Sequence, residues 1–180
     1  MKTFTTDNTQ LSFGQVSAVA ANNDDHFLVL QNWLSQETEE LDFKLFVVDT
    51  LGNTIDEKII SLPQDQDGHK VLISPEGVRW IVGQTDNPGP DNATDIITVK
   101  LDSGLNVIDV FAFDINVVDG VQDVVLSGED LSILYYKDND DANNFGLARV
   151  NGLTGELTYS VEIEDLLLEC PVWWRTITGP

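Results

Sequence analysis

DGHKVLISPEGVRWIVGQT, residues 67–85, decides how the rest of the chain is read. It holds an apolar run around Val71, the polar turn Ser74-Pro75-Glu76-Gly77, and a second apolar run around Ile81. Both runs are too short for helices and are rich in Val, Ile and Trp, so they predict two strands joined by a tight turn. The pattern recurs on either side, as GQVSAVAANNDDHFLVLQNW from Gly14 and DGVQDVVLSGEDLSILYYK from Asp119.

The segment after each copy also repeats: DFKLFVVDTLGNTIDEKIIS from Asp42, DIITVKLDSGLNVIDVFAFD from Asp95, and FGLARVNGLTGELTYSVEIED from Phe145. Each adds a third run, a turn and a fourth run. The turns open on Asp49, Asp102 or Asn151 and hold Gly52, Gly104, or Gly152 with Gly155, the residues that tight β-turns require. The copies start at Gly14, Asp67 and Asp119, a period of about 50 residues. We therefore expect one domain over 1–180, with repeats at about 14–61, 67–114 and 119–165 and an atypical tail at 166–180. The second run of each copy (FLVLQ, RWIVGQ, SILYY) is almost continuously apolar, as in a strand covered on both faces. The last run of the third copy instead alternates, with Tyr159, Val161 and Ile163 against Ser160, Glu162 and Glu164, which predicts one face in water.

Four antiparallel strands per repeat at this period resemble the blades of β-propeller proteins, and the resemblance covers about residues 1–165. SPEG at 74–77 is similar to the SPDG turn of TolB-like repeats, and VKLDSGLNV to the strand-turn-strand of other bacterial propellers. The resemblance implies an all-β, propeller-type array of three four-stranded antiparallel repeats. It implies no activity, because propellers host enzymes, receptors and scaffolds alike.

Complete propellers typically have about 4 to 8 blades, so something must close the ring. KTFTTD near the N-terminus resembles an extra fourth strand, whereas LLLECPVWWRTITGP departs from the pattern. The two ends could combine into a fourth blade, two chains could join into a six-bladed ring, or the chain could be a piece of a longer propeller. Trp173 and Trp174 are read either as a buried cap on the last repeat or as a subunit interface, where aromatic anchors are enriched.

Against 31 Asp and Glu stand 9 Lys and Arg, a formal charge of −22 that repels phosphate backbones. Nucleic acid is not an expected partner; a cation, a basic protein surface or a saline environment suits the charge better. No segment has the apolar run of a signal peptide or a membrane helix, so a cytoplasmic or virion-associated location is expected over classical secretion, and no membrane insertion. Cys170 is the single cysteine, with no His or Lys beside it to activate it, and permits no intrachain disulfide. Asn92-Ala93-Thr94 matches a glycosylation sequon but has no leader to accompany it.

KDNDDANNFG at 137–146 lies between the second and third runs of its copy, as SQETEELD at 35–42 and TDNPGPDNATD at 85–95 do in theirs. In a propeller these loops share one rim with the connections between blades, so Asp65, Asp67, Asp114 and Asp119 are expected there. Such a rim could hold calcium, with Asp138, Asp140 and Asp141 as the candidate ligands. The loop lacks the spacing and distal Glu of an EF-hand, so a solvated turn is the preferred reading. His26 and His69 sit at strand edges in different copies without an evident partner, and no nucleophile elbow, phosphate loop or zinc-protease motif occurs. No catalytic residue is assigned.

The expectation is a non-catalytic interaction or structural module, contacting protein or assembling with itself, in a setting such as an extracellular or viral particle. The competing expectation is a carbohydrate-binding or carbohydrate-active propeller, calcium-assisted, with Trp33, Trp80 and Tyr136 as stacking platforms.

Overall fold

The computed structural model describes residues 14–163 except 24, 36, 87–93, 119, 140 and 141. The described residues form strands and turns and no helix, so none could cross a membrane as a helix. Sheet 1 contains β1 (Gly14–Asn23), β2 (His26–Leu34), β3 (Leu41–Asp49) and β4 (Thr54–Ile60). Sheet 2 contains β5 (Gln66–Ile73), β6 (Arg79–Asp86), β7 (Thr94–Leu101) and β8 (Val107–Val118). Sheet 3 contains β9 (Gly120–Ser127), β10 (Asp130–Asn139), β11 (Ala142–Val150) and β12 (Leu157–Ile163). Each sheet is an antiparallel meander in sequence order, as the repeated turns predict.

The sheets stack face to face: β5 packs on β1, β2 and β3, and β9 packs on β5, β6 and β7. The first strands of all three repeats are thus neighbours, with each fourth strand at the far edge, a propeller-like arrangement. Side chains on a strand alternate between faces, so each sheet has a forward face toward the next repeat and a backward face toward the previous one.

Two apolar cores fill the two junctions. Between sheets 1 and 2, Leu28, Leu30, Phe43 and Leu45 meet Val71, Ile81, Ile97, Val99 and Leu101. Between sheets 2 and 3, Trp80, Val82, Ile96 and Phe113 meet Val121, Val124, Leu131, Ile133, Tyr135, Ala148 and Val150. Sheet 2 is buried on both sides, and β6 accordingly is buried without a break from Arg79 to Gly83, as its apolar run predicts. The equivalent run in β2 alternates instead, because only one of its faces meets a described neighbour.

The turns between third and fourth strands share one device. Asp49 accepts hydrogen bonds from the Leu51 and Asn53 amides (2.9 and 2.7 Å), and Asp102 from those of Gly104 and Asn106 (both 2.8 Å). Asn151 does the same for Leu153 and Thr154. Gly52 holds the left-handed position of the first turn, at φ 83°, as the sequence suggests. In the second turn that position belongs not to Gly104 but to Leu105, at φ 61° and 1% exposed in the core.

Candidate functional site

Asp65, in the connection between sheets 1 and 2, organises one rim. Its carboxylate accepts from the Leu41 amide (2.7 Å) and its carbonyl from the Asp86 amide (3.1 Å), tying it to the inter-strand loops of both sheets. The rim expected from loop geometry is therefore present at this junction. Its carboxylates, however, are used in building it. Asp67 accepts from the Asn32 side chain and lies 3.6 Å from the His69 ring. Asp42, 4% exposed, accepts from the Ser61 hydroxyl at 2.9 Å. The buried Gln66 amide donates to the carbonyls of Leu62, Pro63 and Gln64, fixing the backbone of the connection.

Beside Asp67 is an open cavity of about 230 Å³ lined by Gln15, Val16, Ser17, Asn32, Asp67, Gly68 and His69. At its floor the two sheets meet at backbone distance. Gly68 N–H donates to Asn32 Oδ1 at 2.8 Å, and Asn32 Nδ2 donates back to the Gly68 carbonyl at 3.4 Å. A Cβ on Gly68 would stand 2.7 Å from Leu30 Cδ2, so any other residue here would have to displace the packed Leu30 side chain. Gln84 occupies the matching position beside Gly120, its Oε1 3.1 Å from where a Cβ would lie, but that oxygen is buried without a hydrogen-bond partner.

Further ties cross the junctions at the other end of the sheets. Arg79, 8% exposed, donates to the Asp102 carbonyl (3.0 Å) and to Asn22 Oδ1 (2.7 Å); burial lowers its pKa, and Asp102 opposes that shift. Lys58 donates to Asn106 Oδ1 (3.4 Å), and Lys100 to the Gly152 carbonyl (2.7 Å). Lys70 and Asp123 pair at 2.6 Å, and that hydrogen bond holds the Asp123 carboxyl below the usual carboxylate range.

The two ends of the stack differ from its middle. On the backward face of sheet 1, Val19, Val29 and Phe46 lie in one cross-strand row, with Phe27 and the buried Val48, 6% exposed, in the next. Val19 is 58% exposed, and the Lys44 ammonium lies 4.3 Å from the Trp33 ring centroid and 5.0 Å from that of Phe46. On the forward face of sheet 3, Leu134, Leu147 and Val161 form one row, Tyr136, Phe145 and Ile163 another, and Val125, Ser132, Arg149 and Tyr159 a third. Val125 is 60% and Tyr159 52% exposed. No described element packs on either face. In β12 the expected alternation of burial is absent: Leu157–Glu162 are exposed on both sides, the apolar one included.

Of the residues singled out by sequence, Asp138 lies in β10 opposite Asn143, while Asp140, Asp141, Trp173 and Trp174 lie outside the described residues, as do Asp119 and Cys170. Among the described residues no group of three or more metal-ligating side chains comes together. Trp80 is 1% exposed inside the core between sheets 2 and 3, and closed to any sugar ring. His26 starts β2 opposite Asp49, at the opposite end of the sheets from His69. Sequence reasoning missed Asn32, whose partner Gly68 lies in another repeat, 36 residues away, and which no local signal marks.

No protein-family model matches the chain, and no curated protein matches it. Among solved structures, an ACO/RPE65 chimera aligns with a TM-score of 0.47 and 11% identity over 76% of this chain and 35% of that one. A Synechocystis ACO mutant aligns with a TM-score of 0.48 and 11% identity over the same shares. The chain thus spans about a third of the length of these structures.

Proposed function

We propose that the chain is a non-catalytic, β-propeller-type interaction module that docks protein through the outer faces of its end sheets. The observation that carries this reading is the exposed apolar side chains on the two outer faces, Val19 and Phe27 at one end and Val125, Tyr159 and Val161 at the other, with Val29, Phe46, Leu134 and Leu147 half-buried between them. Contiguous exposed apolar surface marks association sites. The turn at Ser74–Gly77, closed by the Gly77 amide on the Ser74 carbonyl at 2.9 Å, accords with a TolB-like repeat as the finer affiliation.

An apolar fluorescent dye should bind the dilute chain and be displaced as protein concentration rises and the faces find partners. A chain that stays monomeric and binds no dye would overturn the reading. The native mass should be the same with calcium and with chelator. A glycan screen is expected to be silent, and binding there would favour the carbohydrate reading instead.

A further inference from the structure

The end faces are not generic apolar surface. Register places Leu134, Tyr136, Phe145 and Leu147 of sheet 3 where sheet 1 has Leu30, Asn32, Phe43 and Leu45, and where sheet 2 has Val82, Gln84, Ile96 and Thr98. In sheets 1 and 2 those positions are covered by the backward face of the following sheet. The other end obeys the same rule. Val29 and Phe46 of sheet 1 occupy the positions of Ile81 and Val99 in sheet 2 and of Ile133 and Ala148 in sheet 3, which are covered by the preceding sheet. A forward face is thus built for a backward face, and sheet 1 carries the open one among the described residues.

We propose that the partner is a second copy of this chain, joined head to tail: the forward face of sheet 3 packs on the backward face of sheet 1 of the other copy. This rests on the interaction-module reading above. Charge matches across the contact as well. Arg149, which pairs with Asp130 of its own sheet at 2.8 Å, stands at the position of Lys100, which reaches the third-to-fourth-strand turn of the next sheet. In a second copy that turn carries Asp49, whose carboxyl the Asn53 and Leu51 bonds hold below the usual carboxylate range and so anionic. Head-to-tail contacts make rings if the rotation closes and filaments if it does not. One copy falls below the roughly 4 to 8 blades of known rings and three copies exceed it; two copies give six.

The test uses two single-face variants of the full chain, Val19→Asp and Val125→Asp, both at exposed strand positions, with far-UV circular dichroism to confirm folding and Tyr159→Asp in reserve. Wild type should sediment as a dimer. Each variant should be monomeric at concentrations where wild type is dimeric, its apparent Kd raised at least tenfold. An equimolar mixture should recover a one-to-one heterodimer, because one wild-type forward face then meets one wild-type backward face. If only one variant dissociates and mixing restores nothing, like faces pair and the head-to-tail proposal is overturned. A monomeric wild type that binds apolar dye overturns self-association and leaves the docking reading standing. A monomer that binds no dye, its faces covered by the chain's own terminal segments, overturns both.

Discussion

Leu105 sets two effects against each other at one residue. A left-handed backbone costs a side-chain-bearing residue about 1–2 kcal/mol, whereas burying a leucine stabilises by about 1.5–3 kcal/mol. Burial wins, and Leu105 sits at φ 61° with 1% exposure. Leu105→Ala keeps the strain and loses the packing, so it should destabilise by about 2–4 kcal/mol in urea unfolding. Leu105→Gly should be the milder change by about 1 kcal/mol, the reverse of the order at an ordinary strand position. Asp49 and Asp102 add a pH dependence, because hydrogen bonds from Asn53 and Asn106 lower both pKa values from the ordinary 3.8. With folded pKa values below unfolded ones, their stabilisation is complete above about pH 4 and is lost as pH falls through the folded values. Asp49→Asn and Asp102→Asn should therefore lower Tm at neutral pH, and the gap from wild type should close on acidification. Asn151 already fills the third turn without titrating.

Between elements, the decisive contact is Asn32 on Gly68, a side-chain amide acting as a short stretch of β-pairing between two sheets. Asn32→Ala should cost about 1–2 kcal/mol by leaving the Gly68 amide unpaired. Gly68→Ala should cost about 1–3 kcal/mol by overpacking against Leu30 and Phe43. Because stacked repeats couple mainly to their neighbours, either change should raise hydrogen exchange in sheet 1 more than in sheet 3. The twelve strands of the described residues, their pairing and the shared turn chemistry were legible from Val71–Ile81 outward, since apolar runs and the Asp and Gly that punctuate them are local signals. What local signals do not carry is which face has a neighbour. The alternation of Tyr159, Val161 and Ile163 identifies an apolar side but not whether anything covers it. Likewise Trp80 looks the same in sequence as a platform and as core. The rim was legible as a place, through Asp65, but the use of its carboxylates as internal acceptors depended on contacts across 24 and 35 residues.

For the whole molecule, charge and apolar surface pull in opposite directions. Two copies at −22 each repel at long range, and the Debye length shortens from about 30 Å at 0.01 M salt to about 3 Å at 1 M. Dimerisation should therefore strengthen with added sodium chloride, with sedimentation at several ionic strengths as the measurement. A contact held by ion pairs alone would weaken over the same range. The close approach at Gly68 bears on shape. Between sheets 1 and 2, the small residues Ala18, Ala20 and Gly68 stand beside Val71 toward the first strands, whereas farther out the larger Phe43, Leu45 and Ile60 stand between the sheets. Smaller residues toward one edge and larger ones toward the other taper this junction. A taper of that kind turns one sheet against the next, so the small residues beside β5 set the direction in which a further repeat would be added.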